Sequence, residues 1–325
     1  MWKESGIVAL VRLVGVGTVL LGLLGCRAGG PASVFYINSY HAGYGSSDDV
    51  MAGIQETLSA SGVRLTPFFL DAKRHAESAA DRANEALEAI KKARPDVIIA
   101  SDDDAVKHVV AGHFKNGPIP CVFCGVNWTC EQYGLPTAHV TGMLEISPVR
   151  ETIATLRKYY PDAKRLVVLS ENTLSEQKNR ETLVPIFTEM GLTTDYVLVD
   201  TFEQWKERFR RANREADLVF LPTNGAIKGW DTADARAFVN QHLAVPVFTC
   251  DDFMMVYAVF GLTKVAREQG EWAAGTALEI LKGRSPAAIP VTRNRQTVAW
   301  INPILAEKLG FKPGAELLSK CRWVE

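Results

Sequence analysis

Short apolar runs alternate with amphipathic segments along most of the chain. The runs are hydrophobic at consecutive positions, as in 96–100 (DVIIA) and 165–170 (RLVVLS), which is typical of strands buried on both faces. The segments between them carry apolar residues at helical spacing, as at Val50, Ile54 and Leu58. Strands that alternate with helices predict parallel sheets covered by helices on both sides.

The predicted elements form two successive arrays, each followed by part of a C-terminal segment. The predicted strands are 34–38, 65–70, 96–100, 121–126 and 140–144, then 165–170, 196–199, 218–222 and 245–249, then 259–263 and 297–301. The predicted helices are 48–62, 76–93, 102–112, 148–160, 175–190, 202–213, 232–242, 268–281 and 303–309. Two strand–helix arrays of about a hundred residues each fit two doubly wound lobes of the α/β class.

The N-terminal segment is distinct from the rest of the chain. Lys3 and Arg12 precede or border an uncharged apolar run over 13–24, which has the length of a signal-peptide core and is too short to span a bilayer. The run ends in Leu-Leu-Gly-Cys26, which resembles the lipobox of bacterial lipoproteins. That resemblance implies a signal peptide over 1–25 and a lipid on the Cys26 thiol. The alternative is a plain N-terminal anchor helix with an incidental cysteine.

Composition and charge narrow the function classes. Hydrophobic residues are 47% and charged residues 22% of the chain, which excludes a disordered protein. The net charge of −1 argues against a nucleic-acid binder that works by neutralising phosphates. These values predict a folded body that binds no nucleic acid. The lipobox resemblance implies that this body lies outside the cytoplasm, held at the bacterial cell envelope by its lipid.

The cysteines suggest structural roles. Cys121 and Cys124 lie three positions apart in a predicted strand, and such positions point to opposite faces. A redox pair would instead begin a helix. A disulfide between Cys124 and Cys130 stays open for an oxidising compartment. The histidines lack the spacing of zinc ligands, so the sequence predicts no metal site.

Polar residues follow the predicted strands, at the positions where open parallel sheets bind ligands. The first of these loops contains Tyr40, His41 and Tyr44, and the others carry hydroxyl, amide and carboxylate groups. Carboxylates suit an ammonium, helix N-termini suit an anion, and tyrosines suit an apolar or aromatic moiety. Some of these residues also fit the alternative role of helix caps: Ser101, Asp102, Thr173 and Asp251.

Motifs for catalysis and cofactor binding are missing from the printed sequence. It contains no GxSxG elbow, Walker A loop, HExxH motif or complete GxGxxG loop. The three consecutive carboxylates of 102–104 suit the start of a helix better than a metal, because neighbouring residues cannot easily face one ion. We therefore predict a binding protein without catalytic residues or a cofactor.

Five segments stand out by their order and spacing: 39–58 (SYHAGYGSSDDVMAGIQETL), 101–106 (SDDDAV), 122–127 (VFCGVN), 159–171 (YYPDAKRLVVLSE) and 268–310. Together they resemble the family of ABC transporter substrate-binding proteins that includes tryptophan- and tyrosine-binding lipoproteins. The resemblance implies a type I periplasmic-binding-protein fold with a three-segment hinge near Leu144, Tyr257 and Thr297. The implied lobes are 33–143 plus 258–295 for the first, and 144–257 plus 296–325 for the second.

The same resemblance implies a ligand-binding cleft between the lobes. Its implied residues are Tyr40, His41, Ser101 and Asp102 from the first lobe, and Ser170, Thr173, Asn224 and Asp251 from the second. The implied partners are a small-molecule ligand, with amino acid-like molecules among the candidates, and an ABC permease in the inner membrane. Glu171 departs from the polar loop expected of amino acid-binding members and leaves the ligand open. We expect a monomer; the alternative is a stand-alone sensory lipoprotein that partners a membrane sensor kinase.

Overall fold

The structure is a computed structural model that describes residues 30–72, 74–75 and 78–324. The predicted signal peptide over 1–25 and the predicted lipidation site at Cys26 lie outside the described residues. Within the described ranges, no helix is both long and apolar enough to cross a membrane.

The strands of the described chain form two sheets. They are β1 (Ser33–Asn38), β2 (Arg64–Phe69), β3 (Val97–Ser101), β4 (Cys121–Asn127), β5 (Val140–Glu145), β6 (Arg165–Glu171), β7 (Thr193–Val199), β8 (Leu218–Phe220), β9 (Val247–Thr249), β10 (Phe260–Lys264), β11 (Thr292–Arg293), β12 (Thr297–Ile301) and β13 (Cys321–Trp323). The first sheet has the order β2–β1–β3–β4–β5–β11, with every neighbouring pair parallel. The second has the order β7–β6–β8–β9–β10–β12–β13, in which the pair β10–β12 is antiparallel.

Helices connect the strands. They are α1 (Gly45–Ser59), α2 (Ala79–Ala93), α3 (Asp102–Ala105), α4 (Val149–Arg157), α5 (Leu174–Glu189), α6 (Phe202–Glu215), α7 (Thr232–His242), α8 (Ala266–Leu281), α9 (Pro303–Leu309) and α10 (Ala315–Leu318). Helix α3 continues as a π-helix over Val106–Phe114, so the segment predicted as one helix over 102–112 changes its winding. Short 3₁₀ turns occupy Glu131–Tyr133, Asp252–Tyr257 and Pro286–Ala288.

The first sheet is covered on both faces, as the consecutive apolar runs predicted. Every residue of β1, β3 and β4 is buried. Phe35 of β1 packs in a cluster with Ala86 of α2, whereas its neighbour Tyr36 packs on the other face with Ile54 of α1 and Ala273 of α8. Burying a side chain of this size is worth about 1.5–3 kcal/mol. The predicted α/β class with two mainly parallel sheets is therefore confirmed.

Helices α1 and α8 approach each other closely. A Cβ atom at Gly270 of α8 would lie 2.0 Å from the backbone oxygen of Val50 in α1. Only glycine permits this approach, which fixes α1 against a helix that returns late in the chain. The N-terminus of α1 is thereby held at the carboxyl end of β1.

The cysteines lie where the strand pattern placed them. Cys121 and Cys124 belong to clusters on opposite faces of the first sheet. Cys130 shares the face of Cys121 and donates from Sγ to the carbonyl oxygen of Leu135 at 3.3 Å. The Cys124–Cys130 disulfide that the sequence left open is not formed: both thiols are free and buried, and the sheet separates them.

The chain passes between the sheets after β5, after β10 and after β11. The family resemblance implied that the middle passage lies near Tyr257, with 258–295 in the first lobe. Strand β10 instead pairs with β9 and β12 of the second sheet, so the passage falls after Lys264. The segment that returns to the first lobe begins with α8 and ends with β11. Below, each lobe means one sheet with its packed helices.

Candidate ligand-binding site between the lobes

A cleft lies between the two lobes, at the carboxyl ends of their parallel strands. From the first lobe it is lined by the loop after β1 and the start of α1, by Asp102 at the end of β3, and by Glu145 at the end of β5. From the second it is lined by the start of α5, the loop after β8, the turn after β9, and Lys264 at the end of β10. Strand-end loops of both lobes therefore meet at one place, as open parallel sheets predict.

Three aromatic rings, which we call the aromatic wall, form one side of the cleft: Tyr40, Tyr44 and Phe253. The ring centres of Tyr40 and Tyr44 are 5.1 Å apart, and those of Tyr44 and Phe253 are 5.6 Å apart, both edge to face. Burial, followed by the nearby Asp102 carboxylate, raises the pKa of Tyr40 well above its ordinary value, so the wall stays uncharged.

The aromatic wall spans both lobes because Tyr44 belongs to the first and Phe253 to the second. Tyr44 also lies against Gly225 in the loop after β8. A Cβ atom at Gly225 would be 2.4 Å from Cε2 of the Tyr44 ring. Glycine at this position therefore permits the lobes to meet.

Three charged side chains at the base of the cleft form what we call the Lys264 triad: Lys264, Glu145 and Asp251. The Lys264 ammonium lies 2.6 Å from Glu145 Oε1 and 3.0 Å from Asp251 Oδ1, and all three side chains are at most 16% exposed. Burial lowers the pKa of Lys264, but the Asp251 and Glu145 carboxylates outweigh it and raise that pKa well above its ordinary value. Lys264 therefore stays charged and joins strand ends of both sheets.

A second ion pair crosses between the lobes and is almost fully buried. Lys178 of α5 donates from Nζ to Asp103 Oδ1 at 2.7 Å and to the Thr129 carbonyl oxygen at 2.7 Å. Asp103 also accepts from the Asn127 backbone and side chain and from the Tyr133 hydroxyl. We call this group the Asp103 clasp. Its side chains are 6% exposed at Lys178 and 1% at Asp103, so the pair exists only while the lobes touch.

A further hydrogen-bond chain joins the lobes beside the Asp103 clasp. Trp128 of the first lobe donates from Nε1 to Asn179 Oδ1 at 2.7 Å. Asn179 in turn donates to Glu176 Oε1 at 2.6 Å, and the Tyr196 hydroxyl donates to Glu176 Oε2 at 3.1 Å. Both oxygens of this buried carboxylate thus accept hydrogen bonds, which fixes its position at the cleft wall.

The residues predicted for the site fall into two groups. Tyr40, Asp102 and Asp251 line the cleft. Asp102 has a φ of 69°, a left-handed conformation that non-glycine residues seldom adopt and that is common at functional sites.

The other predicted residues lie outside the set of lining residues. Ser101 Oγ is 2.8 Å from the Tyr36 hydroxyl, and Ser170 Oγ donates to the Thr223 carbonyl oxygen at 3.3 Å. Thr173 caps α5 by accepting from the Glu176 backbone, which is the cap role considered for it. His41 lies 3.4 Å from Asp71, and Asn224 follows the lining residue Thr223.

Glu171, which the sequence suggested as a cleft charge, holds a loop from behind. Its side chain is fully buried and accepts from the Ala226 backbone at 2.7 Å. Glu171 lies outside the set of lining residues. Its presence in place of the polar loop residue expected in amino acid-binding members therefore does not change the lining of the cleft.

Tyr44 was noted in the first strand-end loop but was not assigned to the cleft. Several further lining residues were missed by sequence reasoning: Glu145, Glu176, Thr223, Phe253 and Lys264. Three of them directly follow predicted strands, so the rule that ligands bind beyond strand ends already pointed to them. Lys264 was missed because its strand was expected in the first lobe, away from Asp251.

Two lobes that close over a polar and aromatic cleft define a ligand-binding protein of the hinged-clamp class. The family model of the ABC transporter substrate binding protein family matches residues 43–324, and the chain belongs to that family. The predicted family and the type I periplasmic-binding-protein fold are confirmed. None of the curated proteins that were compared matches the chain.

Solved structures share the fold at low sequence identity. The ABC domain from Streptococcus pneumonia in complex with L-Trp has a TM-score of 0.73 and 17% identity, covering 91% of this chain and 100% of the other. A conserved domain protein from Vibrio cholerae has a TM-score of 0.72 and 17% identity, with coverages of 91% and 100%. The 5-methylthioribose transporter solute binding protein from Thermotoga lettingae has a TM-score of 0.60 and 15% identity, with coverages of 89% and 95%.

Proposed function

We propose that this protein captures a small molecule between its two lobes and delivers it to the permease of an ABC importer. The observation that carries the proposal is the cleft itself, where side chains of both lobes meet around a polar and aromatic space. Family membership and the L-Trp complex of the Streptococcus protein support a transported ligand. A ligand that touches both lobes favours the closed form, which a permease can recognise.

The ligand would contact the residues that line the cleft, among them Tyr40, Asp102 and Asp251. Ser101, Ser170 and Thr173 would act indirectly, since they hold the backbone that presents the lining residues. His41 and Asn224 would lie at the entrance.

We further propose that the mature chain works outside the cytoplasm as a monomer, held at the membrane by a lipid on Cys26. The support for the anchor is the charged start, apolar run and Leu-Leu-Gly-Cys26 sequence of the N-terminal segment. Replacing the Cys26 thiol, as in Cys26→Ser, should move the protein from the membrane fraction to the soluble fraction. Membrane retention of that variant would contradict the lipid anchor.

The transport proposal is tested by identifying the bound molecule and following its uptake. The protein is purified from its host without added ligand, the released small molecules are identified by mass spectrometry, and uptake of the labelled molecule is measured in cells. Deleting the gene should abolish high-affinity uptake, and the wild-type gene or Asp234→Asn should restore it. Asp234 is a matched control because it lies on the exposed start of α7 in an ion pair with Lys206.

Two results would overturn the transport proposal. Unchanged uptake with altered expression of other genes would identify a sensory lipoprotein that signals to a membrane kinase. Chemical turnover of the bound molecule by the purified protein would identify an enzyme.

A further inference from the structure

The cleft carries a strong excess of negative charge. Among the lining residues that the structure describes, five are carboxylates and one, Lys264, is a cation. The carboxylates are contributed by both lobes: Asp102, Glu145, Glu176, Asp251 and Asp252. The formal charge of this lining is therefore about −4 when all five are ionised, whereas the whole chain carries only −1.

Lys264, the one cation among the described lining residues, does not neutralise the carboxylates around it. Lys264 is shared between Glu145 and Asp251. Burial raises the pKa of Glu145 in spite of Lys264, and the nearby Asp251 adds to that rise. Desolvation, followed by the Asp251 charge, also raises the pKa of Asp252. These carboxylates would be stabilised by a further positive charge in the cleft.

The same surface is unfavourable for a ligand anion. Among the described lining residues, Lys264 is the one cation that could form an ion pair with a ligand carboxylate. Lys264 already forms ion pairs with Glu145 and Asp251. The helices that begin at the cleft are α1, α3, α5 and α8, and helix N-termini favour an anion. Each of these helices has at least one carboxylate in its first turn, which opposes a second negative charge: Asp48 in α1, Asp102, Asp103 and Asp104 in α3, Glu176 in α5 and Glu268 in α8.

The cleft also offers an apolar surface and a polar group without a partner. The rings of the aromatic wall can pack against the apolar part of a ligand. A ligand cation could also lie over the face of one of these rings. Thr223 Oγ1 is buried at the cleft wall and has no hydrogen-bond partner within the part of the chain described. A buried hydroxyl in this situation can accept a hydrogen bond from a ligand ammonium.

We propose that the ligand is an organic amine that enters the cleft as a net cation. Its ammonium group lies among Glu145, Asp251 and Asp252, and its apolar or aromatic body packs on the aromatic wall. The inference rests on the proposed function, because it specifies the ligand of the same cleft.

The test compares ligands that share a body and differ in charge. Tryptamine, L-tryptophan and indole-3-propionate carry the same indole as a cation, a zwitterion and an anion. Phenethylamine, L-phenylalanine and 3-phenylpropionate form a second series, and pentylamine, L-norleucine and hexanoate a third with an aliphatic body. Binding to the full-length lipoprotein in detergent is measured by isothermal titration calorimetry at constant ionic strength.

We expect the amine of at least one series to bind about tenfold or more tightly than its amino acid, and the acid not to bind. A hydrogen-bonded charge pair contributes about 1.5–3 kcal/mol, which corresponds to about tenfold or more in affinity. Asp251→Asn should weaken the amine by a similar factor, whereas Asp234→Asn should leave it unchanged. Unchanged thermal unfolding of Asp251→Asn without ligand would show that the fold is retained.

The outcomes separate the ligand class from the proposed function. If an amino acid binds as tightly as its amine, or if an acid binds at all, the proposal that the ligand is a net cation is overturned. The proposed solute-binding function would remain intact. Amine binding that Asp251→Asn does not weaken overturns the assigned position of the ammonium. If no member of any series binds, the inference is overturned as stated, while uptake of the co-purified molecule still tests transport separately.

Discussion

Removing the lysine of the Asp103 clasp should open the protein without unfolding either lobe. We choose Lys178→Met because methionine keeps most of the lysine stem and its packing while removing the charge. Lys178 bonds Asp103 and the Thr129 carbonyl oxygen across the lobe boundary. The substitution therefore acts on the contact between lobes, and the cores of both lobes keep their composition.

The free-energy cost of Lys178→Met to the closed form depends on the hydrogen bonds that Asp103 retains. Removing one partner of a buried ion pair costs about 3–5 kcal/mol, because the other charge stays buried without compensation. Asp103 retains the Asn127 backbone and side chain at 3.2 and 2.8 Å and the Tyr133 hydroxyl at 2.8 Å. We therefore expect the lower end, about 3 kcal/mol, which corresponds to a factor of about 150 in the equilibrium between closed and open forms.

Two measurements together detect this shift. If the free protein is closed, small-angle X-ray scattering should show a larger radius of gyration for Lys178→Met. If the free protein is open, the clasp forms only on ligand binding, and the dissociation constant should rise by up to about 150-fold. If the free protein is open, the free energy of unfolding in urea should change little, because water already solvates the Lys178 and Asp103 side chains. If it is closed, that free energy should fall by no more than about 3 kcal/mol, the contribution of the clasp itself.

The control is Lys206→Met. Lys206 lies on the outer face of the second lobe, in ion pairs with the exposed side chains of Glu203 and Asp234. Surface pairs of this kind contribute about 0–1 kcal/mol, so neither the scattering curve nor the affinity should change. If Lys178→Met behaves like this control in both assays, the clasp does not stabilise the closed form and the reasoning is refuted.

Three other substitutions test the contact of Gly225 with Tyr44, a helix cap and a surface carboxylate. Gly225→Val should weaken ligand affinity about 5- to 150-fold in calorimetry, because its side chain would overlap Tyr44 and overpacking costs about 1–3 kcal/mol. Thr201→Ala removes the capping box of α6 and should lower the free energy of unfolding in urea by about 1 kcal/mol with no effect on binding. Asp217→Asn should destabilise the protein at neutral pH, because hydrogen bonding to Arg165 lowers the pKa of Asp217 to about 2. The stability that the Asp217 carboxylate contributes is fully present above its ordinary pKa of 3.8 and is lost as the pH falls through 2.

Each of these expectations has a result that contradicts it. Unchanged affinity in Gly225→Val, compared with Gly275→Ala in the open space on α8, would show that the lobes do not need the Tyr44 contact. Equal stability of Thr201→Ala and the wild-type protein in urea would contradict the capping argument. A stability difference between Asp217→Asn and the wild-type protein that persists below pH 2 would show that the loss is not electrostatic.

The fold was predictable because its central strands are buried on both faces. The run 97–100 (VIIA) of β3 has no polar position to face solvent, so a helix must cover each side. The same pattern did not show which sheet β10 joins, since a short apolar strand fits either. It also did not show the π-helical winding over Val106–Phe114, because the buried positions there, Val106, Val109 and Val110, have the spacing of an α-helix.

The site was predictable only to the level of strand ends. Tyr40, Asp102 and Asp251 line the cleft at such ends. Ser170 lies at a strand end too, yet its hydroxyl bonds a neighbouring loop, and the side to which a strand-end residue turns depends on the exact register. The Asp103 clasp needs residues 75 positions apart to meet across the lobe boundary, which no local pattern encodes.

The position of the Lys264 triad links ligand charge to lobe movement. Glu145 is the last residue of β5 and Lys264 the last of β10, and the chain passes between the lobes after both strands. A ligand ammonium that competes with Lys264 for Glu145 or Asp251 would therefore act on the crossing segments themselves, in addition to bridging the lobes. Lys264→Gln should accordingly change the scattering curve of the free protein as well as ligand affinity. If only the affinity changes, Lys264 affects ligand binding without affecting the movement of the lobes, and the proposed link is contradicted.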